Sequence, residues 1–173
     1  MLEDLTELVA APPRGSETVV DWRGVEGRLG FELPVDYKEL VERYGPGVFD
    51  EFIHIFQPEC PTESIDLEKQ VSDSLWALNY LVQEGEVVPY DLRPPAEIIS
   101  VGRTDNGDII YLRRRPVENP DLWPVVVNEA RGDDWGQFEG GLTQFLTDVL
   151  SGEIRTSIFP ASFPSVDPRF SPY

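Results

Sequence analysis

The apolar positions of this chain recur first at helical and then at strand spacing, and that change of period predicts its architecture. Leu2, Leu5, Leu8 and Val9 share one helical face until Ala11-Pro12-Pro13-Arg14-Gly15-Ser16, where prolines and a glycine stop the helix and make a short linker. This first helix, within residues 1–11, reads as an appendage to the core. Between Val19 and Leu29 the positions Trp22, Val25, Glu26 and Leu29 predict a second helix, weakened by Gly24 and Gly27 at roughly 1 kcal/mol each. After Leu33-Pro34, the run from Val35 to Tyr44 aligns Tyr37, Leu40, Val41 and Tyr44, and Gly45 stands where a left-handed cap belongs. Val48 to Phe56 reads as short extended pieces broken by Asp50-Glu51, with Phe52, Ile53, Ile55 and Phe56 apolar enough for a buried strand. Beyond a loop through Pro58 and Pro61, Ile65, Leu67, Val71, Leu75, Leu78 and Val82 mark the longest helix, with Thr62 or Ser64 as its cap and an end near Gly85.

The second half changes period. Ile98-Ile99-Ser100-Val101 and Ile109-Ile110-Tyr111-Leu112 flank Asp105-Asn106-Gly107-Asp108, and Asn-Gly between two β-rich runs predicts a hairpin whose two turn residues both take positive φ. Further strands are expected at Trp123 to Asn128 and at Asp133 to Glu139, before Leu142, Phe145, Leu146, Val149 and Leu150 resume helical spacing up to Gly152. Helices, then an antiparallel sheet, then a closing helix make an α+β domain over residues 1–153. Residues 154–173 carry Pro160, Pro164, Pro168 and Pro172 interleaved with Phe159, Phe163 and Phe170, a pattern incompatible with a helix. This Pro/Phe-rich tail is either laid over the body in extended form or offered to a partner as a polyproline peptide.

Composition narrows the partners. The 173 residues hold 32 acidic and 14 basic side chains, a formal charge of -18, while 40% hydrophobic residues mark a chain that folds. Such a field repels DNA, RNA and anionic lipid, so neither nucleic acid nor membrane is an expected partner. Residues 1–90 carry 19 acids against 6 bases, and residues 91–173 carry 13 against 8, so the excess is concentrated in the first half. One cysteine, Cys60, allows no internal disulfide or cysteine-built zinc site and fits the reducing cytoplasm. The start Met1-Leu2-Glu3-Asp4-Leu5 is no secretory signal, and no apolar run approaches the roughly 20 residues of a membrane span.

The side chains that catalysis needs are scarce. His54, the single histidine, lies in an apolar run and reads as a hydrogen-bonded structural residue, while Cys60 has only His54 as a possible base. Asp105-Asn106-Gly107-Asp108 lacks the alternating ligands and closing Glu of a calcium loop, and Tyr44-Gly45-Pro46-Gly47 lacks the Gly-Lys-Ser/Thr of a phosphate loop. No metal, cofactor or catalytic residue is expected, although with so many acids a carboxylate pair would occur by chance. Asp50, Glu51, Glu59 and Glu63 surround the loop after the predicted central strand, and Asp133-Asp134-Trp135 joins acids to an exposed-looking aromatic ring. These seven are either solvated loop charges or a negative surface with aromatic anchors that binds a partner.

The spacing of landmarks adds to this reading. Glu26, Leu29-Gly30, Leu33-Pro34, Asp36-Tyr37 and Tyr44-Gly45 resemble the opening signature of the SUKH superfamily, and Asp105-Asn106-Gly107-Asp108, Trp123 to Val127 and Phe145-Leu146 before Gly152 resemble its closing half. The resemblance covers roughly residues 22–152. It implies an α+β domain, a central antiparallel sheet flanked by helices, without a catalytic centre, of the kind that bacteria use as immunity proteins against toxin domains, often nucleases; a fungal branch serves as a signalling scaffold. The expectation is therefore a cytoplasmic immunity protein that occludes a basic toxin domain with an acidic surface, with a regulatory scaffold as the alternative. The family's matched positions act as core residues and turns, and transfer no binding residue to this chain.

Overall fold

The structure, a computed structural model, describes residues 2–13, 19–130 and 133–173. Its elements follow in the order α1 (Leu2–Leu8), α2 (Trp22–Leu29), α3 (Val35–Tyr44), β1 (Gly47–Phe49), β2 (Ile53–Ile55), α4 (Leu67–Gln83), β3 (Ile98–Thr104), β4 (Ile109–Arg113), β5 (Val125–Asn128), β6 (Trp135–Phe138), α5 (Leu142–Ser151) and β7 (Phe170–Pro172). Short 3-10 turns at Glu63–Ile65 and Pro120–Leu122 precede α4 and β5. The strands form one sheet in the order β6-β5-β4-β3-β2-β1-β7, every pairing antiparallel.

Strand alternation sends two apolar sets to opposite faces. Ile53, Ile55, Ile99, Val101, Ile110, Leu112, Val125 and Val127 join the main core with helix residues such as Tyr37, Leu40, Val41, Phe145 and Leu146. Ile98, Tyr111 and Val126 point to the other face, where Leu78 of α4 covers them. Tyr37 pins α3 to the sheet by donating its hydroxyl to the Phe56 carbonyl at 2.7 Å.

Several expectations are corrected in detail. The first helix is no appendage: Leu5 and Val9 are fully buried, and the Tyr44 hydroxyl donates to the Val9 carbonyl at 2.7 Å. Seven residues are too few for a helix to persist unaided, so its apolar face has to be packed. Of the linker behind it, Arg14, Gly15 and Ser16 lie outside the described residues. The second helix begins at Trp22, not Val19, because the Asp21 side chain caps it by accepting from the Gly24 amide. The longest helix is capped by Asp66, which accepts from the Lys69 amide, rather than by Thr62 or Ser64. In the Asn-Gly hairpin only Gly107 has positive φ, at 92°. Its amide bonds the Thr104 carbonyl and the Thr104 amide bonds the Asp108 carbonyl, the pattern of a three-residue loop in which glycine alone needs the left-handed region.

The two-residue turn that does need two positive φ values is Asp50-Glu51, at 51° and 52°, closed by the Phe52 amide on the Phe49 carbonyl. A side chain there costs about 1–2 kcal/mol per residue, and neither position is glycine. Glu51→Gly is expected to raise stability by roughly 0.5–1 kcal/mol, net of the freedom that glycine gains in the unfolded chain. The urea midpoint reads this directly, and an unchanged or lower midpoint contradicts the strained turn.

Residues 154–173 are built into the body. Ile158, Phe159 and Phe163 are buried in the main core, and β7 extends the sheet by pairing with β1. Gly47 is what allows that pairing, since a Cβ there would stand 2.3 Å from the Phe170 ring and 2.6 Å from the Ser171 carbonyl oxygen.

Candidate protein-docking face

Antiparallel register decides which carboxylates meet. Ile53 pairs with Thr104, Ile109 pairs with Asn128, and Asn128 pairs with Trp135, so the β1–β2, β3–β4 and β5–β6 turns all stand at one end of the sheet. Strands lie about 4.8 Å apart, which places successive turns roughly 10 Å apart and makes the row about 20 Å long. Hydrogen bonds tie the turns together: the Asp105 amide donates to the Phe52 carbonyl at 3.0 Å, and the Ala130 amide donates to Asp108 Oδ1 at 3.1 Å.

Two kinds of acid occupy this end. Asp50 and Asp108 hold the fold, Asp50 by accepting from the Ser165 amide at 2.7 Å and Asp108 by accepting from Thr104 Oγ1 at 2.6 Å. Glu51, Asp105, Asp133 and Asp134 are exposed and Glu129 is half-buried. Glu59 and Glu63 follow β2 to the opposite end of the sheet, and Glu59 is paired there with Arg28 at 3.0 Å. The predicted partner-binding residues therefore separate, with Asp50, Glu51, Asp133 and Asp134 together and Glu59 and Glu63 away from them. Trp135 is half-buried instead of exposed, its ring 5.2 Å from that of Tyr90 and 5.9 Å from that of Tyr111.

The acidic end opens into a groove of about 540 Å³ between α4 and the sheet. Leu78, Leu81, Ile109, Tyr111 and Trp135 supply its apolar lining, and Asp73, Glu86, Glu129 and Asp133 its carboxylates. Burial pushes the Tyr111 phenol far up, so it stays neutral. Trp76 and Tyr80 stand on the exposed side of α4, 71% and 50% exposed, with their rings stacked at 5.8 Å. Tyr80 follows Asp73 by seven residues, two helical turns, and so shares its side of the helix. Neither ring stands out in the sequence, because the apolar spacing of α4 resembles a buried stripe, whereas the only buried residues in α4 are Leu67 and Leu78.

The far end of the sheet carries most of its arginines in ion pairs with nearby acids. Arg93, Arg113, Arg114 and Arg115 gather near Glu97, whose Oε1 accepts from Arg113 Nε at 2.8 Å. Arg114 is buried and lies 4.0 Å from the Phe31 ring, with its Nη1 donating to the Ala96 carbonyl. Burial works against the charge of Glu97, but the Asp91 amide and Arg113 outweigh it and hold the carboxyl below its ordinary value of 4.5. A lowered value means that this contribution is present above the ordinary value and fades as pH falls through the folded one. Glu97→Gln is expected to cost about 1–3 kcal/mol at neutral pH and to flatten the acid limb of the stability curve. Parallel acid limbs in urea titrations of the two proteins would contradict that role.

Both ring nitrogens of His54 are engaged. Nε2 lies 2.6 Å from Asp105 Oδ1 and Nδ1 meets the Tyr173 hydroxyl, which clamps β7 to the turn end. The Cys60 amide donates to Asp66 Oδ2, and neither His54 nitrogen is directed to the thiol. Among the described residues, no group of three His, Cys, Asp or Glu side chains is placed to hold a metal ion. No described helix is long and apolar enough to cross a membrane. Residues 20–146 match a family model, SUKH_6, described as SMI1-KNR4 cell-wall. No curated protein and no solved structure matches the chain.

Proposed function

The chain belongs to the SUKH (SMI1-KNR4) family, and on that premise we propose that it is an immunity protein that binds a basic toxin domain, a nuclease by its chemistry, and covers the toxin's active site. The carrying observation is the row of carboxylates on three hydrogen-bonded turns, with Glu51, Asp105, Glu129, Asp133 and Asp134 along one end of the sheet. A nuclease needs a cationic groove to hold duplex phosphates, which carry one charge per roughly 1.7 Å of helix axis. A rigid acidic edge about 20 Å long competes for that groove, and no bond has to be made or broken. Such a complex buries on the order of 1,600 Å², more than the turns alone provide, so neighbouring surfaces join them. The protein acts in the cytoplasm, where the toxin meets its substrate.

The test is growth. Cells expressing the toxin domain encoded beside this gene are expected to survive only when this chain is co-expressed; equal killing in both cultures removes the reading. The description of the matching family as SMI1-KNR4 cell-wall favours one second reading, a regulatory scaffold that uses the same face on a partner of the host cell. That reading predicts no protection, together with capture of a host protein that is lost on reversing the charge of Asp133 and Asp134.

A further inference from the structure

The groove beside α4 combines features that a solvated helix face does not need. Leu78, Leu81, Ile109, Tyr111 and Trp135 line it with apolar surface, Val87 in the same lining is 87% exposed, and the helix buries only Leu67 and Leu78. A contiguous apolar surface rimmed by charge marks a contact site. All four ionisable acids that line the groove, Asp73, Glu86, Glu129 and Asp133, carry negative charge, and no described lysine or arginine lines it. Lys69, paired with Asp73 at 2.8 Å, offsets one of them from outside.

Charge chooses the occupant. A second copy of a chain of charge -18 would bring carboxylates against carboxylates, and anionic ligands are repelled in the same way. A neutral apolar ligand would bury the rim carboxylates without partners, which is costly. A lysine or arginine satisfies both parts of the site, since its aliphatic stem covers apolar surface while its head stays with charge. Tyr80, on the same side of α4 as Asp73, and the Trp76 ring stacked on it add faces that attract a cation.

We infer that the groove between α4 and the sheet receives a lysine- or arginine-bearing segment of a partner protein, with its stem over Leu78, Leu81 and Ile109, its charge among Asp73, Glu86, Glu129 and Asp133, and Trp76 and Tyr80 as its rim. The inference rests on the reading of this protein as a binder of a basic partner, and it names the pocket that gives the acidic end its affinity.

Three synthetic twelve-residue peptides test it against the full chain by titration calorimetry: one alternating leucine and arginine, one alternating leucine and glutamate, one alternating serine and arginine. The leucine–arginine peptide is expected to bind saturably, and each of the others at least about tenfold more weakly. Trp76→Ala and Ala77→Arg are each expected to weaken that binding about tenfold or more. Glu39→Gln, an exposed change on α3, which packs into the main core on the other face of the sheet, is expected to leave it unchanged. Both groove substitutions fall at exposed positions, and an unfolding midpoint equal to that of the parent chain confirms that each variant is folded. Equal binding of the two arginine peptides, insensitivity to Trp76→Ala, or self-association of the chain that Trp76→Ala abolishes would each overturn the inference. The growth assay separates the two levels. Protection that survives Trp76→Ala and Ala77→Arg overturns the groove and spares the immunity reading, whereas failure of the parent chain to protect overturns that reading and leaves the peptide measurement to decide the groove.

Discussion

Deletion of residues 154–173 is expected to leave a chain without a cooperative unfolding transition. Phe159 and Phe163 are 7% and 8% exposed, and the Phe52 ring packs on both, at 5.5 and 4.8 Å. The Phe170 ring closes the other edge, 5.0 Å from Tyr44 and 4.8 Å from Phe49. Removing one buried phenylalanine costs about 3–5 kcal/mol, and a domain has only about 5–15 kcal/mol in total. Losing two such rings together with Ile158 and β7 therefore consumes most or all of it. Phe163→Ala alone is expected to cost about 3–5 kcal/mol while keeping the transition. Near-ultraviolet circular dichroism and a urea titration read both. A truncated chain that unfolds at the parent midpoint would show that these rings lie outside the core. The same burial weakens the idea of the tail as a free polyproline peptide, because its phenylalanines are already occupied.

The second large effect concerns charge. Reversing Glu51, Asp133 and Asp134 to lysine is expected to weaken the toxin complex at least about 100-fold at low salt, chiefly through slower association, and to flatten its salt dependence. These three are chosen because the fold does not use their carboxylates in any described hydrogen bond, whereas Asp50 holds Ser165 and Asp108 holds Thr104 and Ala130. Reversal at Asp50 or Asp108 would confuse lost binding with lost structure. Surface plasmon resonance between about 50 and 300 mM salt separates rate from affinity, since exposed charges are screened within about 10 Å at 0.1 M. An association rate unmoved by the triple reversal would contradict steering by this end.

The architecture was legible where period and punctuation agreed. Tyr37, Leu40, Val41 and Tyr44 at helical spacing before Gly45 predict α3 as it stands, Val35–Tyr44, and Ile98 to Leu112 around Asn106-Gly107 predicts the β3–β4 hairpin. Legibility failed where the cause is distant in sequence. Nothing local to Leu5 or Val9 tells that α5 and Tyr44 will cover them, and nothing in Phe159 or Phe163 names Phe52 as their partner. The acids show the same division. Asp50-Glu51 and Asp133-Asp134 lie far apart in the chain, and only the register from β2 through β6 brings their turns to one end. Glu59 and Glu63 are near Glu51 in sequence, yet β2 carries the chain to the other end before they occur. Trp76 and Tyr80 could have been found by asking which residues of the longest helix fall off its apolar stripe, since two large rings four residues apart on that side are unusual for a solvated face.

As proposed, the acidic end of the sheet and the α4 groove beside it form one partner-binding face. Hydrogen exchange of the full chain, with and without the purified toxin domain encoded beside its gene, tests this most directly. Slowed exchange is expected at residues 50–52, 73–82, 105–108, 129–130 and 133–135, with unchanged exchange at residues 91–97 and 113–117. Protection confined to the arginine end, or to Glu59 through Ile65, would contradict it.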